Sequence, residues 1–244
     1  MKRQITTFLA AGICALGQHY TVPFSGGSRP GLVKIDVVNG AIQIHGYEGK
    51  DVTIEDLGRA KKETKDGLHR LDNGGAFSVS EQGNVIAIHG GVERTAQLAI
   101  QLPPGTALEL RCVNCRDVLI EKVSGDIDVN TTNGGIHLVN VTGGVLAHSL
   151  NRGITAKFDQ PPGTKPISLS SMNGGIDVTF PSSLKANVRL KTNNGKIFTD
   201  FDVKLAGGTV IRPDHGLSGT VNGGGGEMQL TTFNGPIYLR QLAR

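Results

Sequence analysis

Residues 113–154 read VNCRDVLIEKVSGDIDVNTTNGGIHLVNVTGGVLAHSLNRGI, and this stretch decides the fold class. It divides into short copies closed by β-branched apolar residues. These are Val118, Ile127, Ile136, Val145 and Ile154, nine positions apart each time. Turn residues stand ahead of the closing position, as in Asn133-Gly134 before Ile136 and Thr142-Gly143 before Val145. A fixed period of this kind marks a stacked repeat, in which each copy buries its apolar face against the next. Two positions beyond the closing residue stand Ile120, Val129, Leu138, Ala147 and Ala156, whereas Asp128, His137 and Thr155 stand between. Each copy is therefore a period-2 strand with one face turned inward.

The same register extends beyond this stretch. Its core column is Val118, Ile127, Ile136, Val145, Ile154, Ile176, Ile197 and Ile237. Three positions earlier runs a turn column of Asn39, Asn133, Asn151, Asn173, Asn194 and Asn234, with Cys115 in that place before Val118. Glycine usually follows the asparagine, and both residues tolerate positive φ, so the pair makes a corner at little cost. Halfway between lie corners of another kind: Ser124-Gly125, Thr142-Gly143-Gly144, Pro162-Gly163, Pro181-Ser182, Gly207-Gly208 and Asn222-Gly223. One cycle thus spans 18 to 22 residues and holds two strands.

This pattern predicts an all-β fold: a β-solenoid, parallel β-helix-like, with two strands per coil of about 20 residues. The asparagines would then form a side-chain amide ladder, with Asn133 over Asn151 and Asn173 over Asn194. Asn-Gly is also the strongest short hairpin signal, so an antiparallel sandwich or meander is the alternative.

Upstream, Val33–Val38, Asp51–Glu55, Ala76–Ser80, Val85–His89 and Ala96–Leu102 read as strands, and residues 57–73 as a long polar excursion. No linker interrupts 33–244, which reads as a single all-β repeat domain. Residues 18–32, with Pro23, Gly26, Gly27, Pro30 and Gly31, read as a linker. Residues 1–17 read as a signal peptide: a basic Met1-Lys2-Arg3 start, an apolar run from Ile5 to Leu16, and the small-x-small sequence Ala15-Leu16-Gly17. The run is too short to span a bilayer. The chain is therefore expected to be exported, to the periplasm or the cell surface; without the leader it would be cytoplasmic.

In 244 residues there are 35 glycines, no tryptophan and a net charge of only +4. The cationic residues are scattered, and the densest run, Arg59 to Lys65, lacks aromatic neighbours, so nucleic acid is not an expected partner. Cys112 and Cys115 are a candidate disulfide in an oxidising compartment. They read alternatively as free thiols. A thioredoxin-type role wants CxxC at a helix N-terminus, and zinc needs two further ligands.

Asp117, Asp126 and Asp128 are a candidate cation or sugar site and read as solvated turn aspartates. His137 and His148 fall in different columns, and Gly223–Gly226 has no Lys or helix behind it to make a phosphate cradle. No catalytic, cofactor or metal constellation emerges, and no cofactor is expected.

The order Ser124-Gly125-Asp126-Ile127, Thr132-Asn133-Gly134-Gly135-Ile136, Met172-Asn173-Gly174-Gly175-Ile176-Asp177-Val178, Lys191-Thr192-Asn193-Asn194-Gly195-Lys196-Ile197 and Thr232-Phe233-Asn234-Gly235-Pro236-Ile237 resembles a bacterial family of adhesin domains of unknown function, related to the auto-transporter adhesin head domain called GIN. The resemblance covers roughly Val33 to Leu239. It implies an exported β-helical domain with no assigned enzyme activity; the chain is expected to be a non-catalytic adhesin or cell-envelope scaffold, not an enzyme, toward an envelope protein or glycan. The alternative is a carbohydrate-active enzyme or a glycan-binding protein on the same scaffold.

Overall fold

The computed structural model describes residues 19–27, 29–58, 64–65, 68–69, 77–90, 95–205 and 216–243. The leader at 1–17, residues 59–63 of the basic run and the Gly207-Gly208 corner lie outside the described residues. Among the described residues every regular element is a strand, and no helix is long and apolar enough to cross a membrane. Nineteen strands join in one large mixed sheet, and Thr64–Lys65 pairs separately with Leu68–His69.

The sheet is built as two ladders of stacked strands. Two long strands, Leu32–Gly46 and Ala107–Glu121, run through both. They pair in parallel, from Leu32 with Ala107 to His45 with Glu121. From there the chain adds one rung at a time. Ile127–Thr131, Val145–Ser149 and Ile167–Ser171 join the first ladder; Gly135–Val139, Ile154–Lys157 and Ile176–Phe180 join the second. All these pairs are parallel and in register, with Ile127 beside Val145 and Ile136 beside Ile154. A meander would pair neighbouring strands antiparallel. The nine-residue period is therefore half a rung: alternate closing residues belong to alternate ladders.

Both ends depart from chain order. Leu32–Gly46 sits between Ala107–Glu121 and the rung made by Val85–Gly90 and Ala96–Leu102. At the far end, Gly226–Asn234 and Ile237–Gln241 lie between the 167–180 rung and the rung of Ala186–Asn194 and Ile197–Thr199, parallel to both. Asn194 is therefore not the neighbour of Asn173, as the spacing predicts; Asn234 stands between them.

Antiparallel strands then cover the ends. Phe77–Gln82 lies on Val85–Gly90, Val52–Asp56 on Ala96–Leu102, and His19–Val22 on Val52–Asp56. Leu217–Val221 lies on Ala186–Asn194, with Val203–Leu205 outside it. Short antiparallel strands of this kind blunt an open sheet edge. Residues 18–32 are thus more than a connector: His19–Val22 is a sheet strand, and Val22 is buried.

The inward residues of both ladders form one core. Val118, Ile127, Ile136, Val145, Ile154, Ile176 and Ile237 are buried, whereas Ile197, on the last rung of the second ladder, is only half-buried. A fully buried Ile side chain contributes about 1.5–3 kcal/mol through apolar area. At the C-terminal ends of the Ile154–Lys157 and Ile176–Phe180 strands, Phe158 and Phe180 stack with centroids 4.5 Å apart and planes at 7°.

Candidate functional site

Along one edge the corner asparagines form a continuous amide ladder. Asn114 Nδ2 donates to Asn39 Oδ1 (3.1 Å), Asn133 to Asn114 (2.7 Å), Asn151 to Asn133 (2.7 Å) and Asn173 to Asn151 (3.1 Å). Asn234 continues it to Asn173, and Asn194 to Asn234, each at 2.8 Å. The register from sequence puts Cys115 in this column, but Asn114 occupies it. The pairing shifts between Gly40 and Ile42, where Arg116 and Asp117 face the single residue Ala41. That bulge carries the extra residue and moves the asparagine one position earlier.

The glycines after these asparagines serve a different purpose from the one their chemistry suggests. Gly40, Gly134, Gly174 and Gly195 are not among the positive-φ glycines; Gly235 is, at φ 154°. What they provide is room. A Cβ on Gly235 would come within 2.6 Å of the Gly174 carbonyl oxygen, and one on Gly40 within 2.6 Å of the Ala96 carbonyl oxygen. The neighbouring rung's backbone passes where a side chain would be.

Just inside this edge runs a buried hydroxyl column. Thr131 Oγ1 donates to the Gly134 carbonyl (2.7 Å), Thr232 Oγ1 to Gly174 (2.8 Å) and Ser171 Oγ to Arg152 (3.0 Å), tying each corner with an otherwise costly buried polar group. Cys112 occupies this column beside Thr131. It is disulfide-bonded to Cys115, three residues on, so the bond closes the corner that Thr131 and Gly134 close by a hydrogen bond. Both cysteines are buried. Outside the asparagines, Leu150, Met172 and Phe233 form an exposed apolar stripe on three consecutive rungs.

The outer face of the second ladder presents the most varied chemistry. His137 Nδ1 lies 2.6 Å from Thr155 Oγ1, and its Nε2 lies 3.6 Å from Asp117 Oδ1. These are the residue types of a nucleophile relay. They stand in the open, however, with the His137 and Asp117 side chains 40% and 51% exposed, and so lack the water-excluded setting in which such groups become reactive.

Further along the same face, Asp177 Oδ1 accepts from Arg240 Nε at 2.8 Å. This hydrogen bond, the largest influence, holds the guanidinium even more firmly protonated than usual. Arg240 lies 4.5 Å over the Tyr238 ring, and Tyr238 stacks on Phe198 with centroids 5.1 Å apart and planes at 12°. Phe198, on the last rung, is 46% exposed. The sequence register places Tyr238 and Phe198 in one column. It does not show that they touch, because the C-terminal rung that joins them is out of chain order.

On the first ladder, a shallow groove of about 460 Å³ opens over Ala107, Gly144, Leu146 and Pro166. Asp126 lies at its rim. The Gly144 backbone N–H (2.9 Å), and next Lys165 Nζ (3.1 Å), hold its carboxyl below the ordinary carboxylate value. Asp128 accepts from Asn130 Nδ2 at 2.8 Å. The three candidate aspartates thus do not converge: Asp126 and Asp128 belong to the first ladder, and Asp117 faces His137 on the second. His148, hydrogen-bonded to Ser170 at 2.8 Å, is also on the first ladder, away from His137. Among the described residues no three His, Cys, Asp or Glu side chains gather as metal ligands.

No family model matches the chain, and no curated protein matches it. Among solved structures it is similar to a "putative cell adhesion protein" from Clostridium sporogenes. The two share 10% identity and a TM-score of 0.48, over 92% of this chain and 98% of that one.

Proposed function

We propose that this chain is an exported, non-catalytic interaction domain, an adhesin or cell-envelope scaffold of the GIN-related type, built on a β-solenoid with two strands per coil. Parallel in-register ladders and the amide ladder along one corner support the solenoid reading. The observation that carries the functional reading is the outer face of the second ladder. There the alternate, outward side chains of each rung are displayed, ending in the stacked Arg240, Tyr238 and Phe198. A rigid row at strand spacing suits recognition of an extended partner, and exposed aromatic and Arg side chains are the commonest anchors of binding surfaces. Export is supported by the basic and apolar N-terminal sequence and by a disulfide that persists in oxidising compartments.

A glycan-binding protein is the second reading, favoured by the same group. An aromatic face can stack against the C–H groups of a pyranose while Asp177 and Arg240 offer an acceptor and donors to its hydroxyls. The test is capture from a cell-envelope fraction and a glycan array, each run with the native chain and with Phe198→Ala/Tyr238→Ala. A partner retained by the native chain and lost by the variant is the expected result. Equal retention by both would move the contact elsewhere, and turnover of a glycan by the native chain would overturn the non-catalytic reading.

A further inference from the structure

The C-terminal rung is the part of the molecule that its chain order explains least. Gly226–Asn234 and Ile237–Gln241 fill a slot between the 167–180 rung and the 186–199 rung, both of which precede them in sequence. The fit is complete on both sides. Leu230 and Leu239 are fully buried, Thr232 Oγ1 donates to the Gly174 carbonyl, and Thr192 Oγ1 donates to the Gly235 carbonyl. Asn234 bridges Asn173 and Asn194.

A single crossover, Asn222 to Gly225, brings this rung in. It is turned tightly by positive φ at Asn222 (48°), Gly223 (86°) and Gly224 (85°), and it is pinned by Asn222 Nδ2 to the Ser182 and Leu184 carbonyls at 2.9 and 2.7 Å. With no side chain, Gly223 and Gly224 can equally adopt an extended path. The slot therefore recognises one kind of occupant, a two-strand segment carrying Met228, Leu230, Thr232, Asn234, Ile237 and Leu239 in register. Nothing in those contacts depends on the segment belonging to the same chain.

We propose that the slot accepts this rung from a second copy of the chain, so that the protein self-associates by exchange of its C-terminal rung. Each exchanged rung makes the contacts it makes in the closed form and straightens one crossover. A short linker keeps its own segment at an effective concentration of about a millimolar, so exchange competes when the chain itself approaches that concentration. The proposal is independent of any ligand on the outer face.

Two variants test it in the full-length Cys14→Ser chain. Ser168→Cys and Gln229→Cys lie opposite each other across the junction of slot and rung, away from the amide ladder. The two are mixed, unfolded together and refolded at near-millimolar concentration. The mixture should give 168–229 linked dimers, which neither variant alone can form, since only the rung of one copy in the slot of another joins those positions.

Deleting Gly223–Gly225 makes self-insertion too short and should convert monomer to dimer in light scattering, even on dilution. A mixture without 168–229 linked dimers overturns the proposal, as does a folded, monomeric shortened chain. If the shortened chain does not fold, the cross-link between chains with the intact crossover decides.

Discussion

The middle of this molecule and its two ends are made from the same strands in opposite ways. Between Ala107 and Phe180 the chain lays each rung on the last, always parallel, with corners repeating one above another. At the ends, rungs arrive out of order and antiparallel strands cover the outermost rungs. In the middle, local sequence specifies its neighbour: a residue 18 positions on in the Asn133–Asn151 pair, 22 in Asn151–Asn173. At the end, the same kind of bond joins residues 61 apart, Asn173 and Asn234. Periodicity is cheap to read and quick to form. The end pairings must close long loops first, which costs more chain entropy.

Core substitutions break the middle most strongly. Ile136 is fully buried between Val118 and Ile154, so Ile136→Asp is expected to prevent folding, with loss of the folded far-UV circular dichroism signal. Ile136→Ala should cost about 2–5 kcal/mol in denaturant unfolding, because a cavity remains between fixed rungs. Ile197→Ala, at the half-buried end rung, should cost clearly less.

The corner closure can be sharpened next. Replacing Cys112 and Cys115 by Ala should cost about 2 kcal/mol, the loop-entropy value for so short a ring. Cys112→Thr with Cys115→Gly should recover about 1 kcal/mol of that, because the threonine hydroxyl would make the bond that Thr131 makes to Gly134. Equal stability of the two double variants would separate this corner from the others.

The amide ladder distinguishes middle from end more finely. Asn151 both donates to Asn133 and accepts from Asn173, whereas Asn194, on the last rung, donates to Asn234. Asn151→Ala should therefore cost about 1–2 kcal/mol and Asn194→Ala about half that, measured as unfolding midpoints.

The smallest effect is expected at Asp126, an exposed carboxylate whose folded pKa is depressed first by Gly144 and then by Lys165. A depressed carboxylate contributes stability above its unfolded pKa and loses it as pH falls through the folded one. Asp126→Asn should thus change stability by a few tenths of a kcal/mol at neutral pH and flatten the loss below about pH 4.

These contrasts also show what the sequence makes legible. The all-β class, the parallel sense and most of the asparagine column follow from a period that each rung repeats. Asn114 is hidden by a one-residue bulge, which shifts the positions ahead of Val118 by one and leaves Cys115 in its apparent place. The corner glycines are visible as a pattern, but their reason is not. Close passage of the next rung's carbonyl is a property of the stack, whereas positive φ is a property of the residue. The Asp177, Arg240, Tyr238 and Phe198 group was out of reach for a further reason: no local signal tells that the last rung enters before the one preceding it in sequence.

The most direct test of this architecture is the backbone proton–proton contact pattern across Ile136/Ile154 and across Ile176/Ile237 in the isotope-labelled chain in solution. The structure predicts the parallel pattern at both pairs, with Ile237 also in contact with Ile197. An antiparallel pattern at Ile136, or direct contact of Ile176 with Ile197 without Ile237 between them, would contradict it.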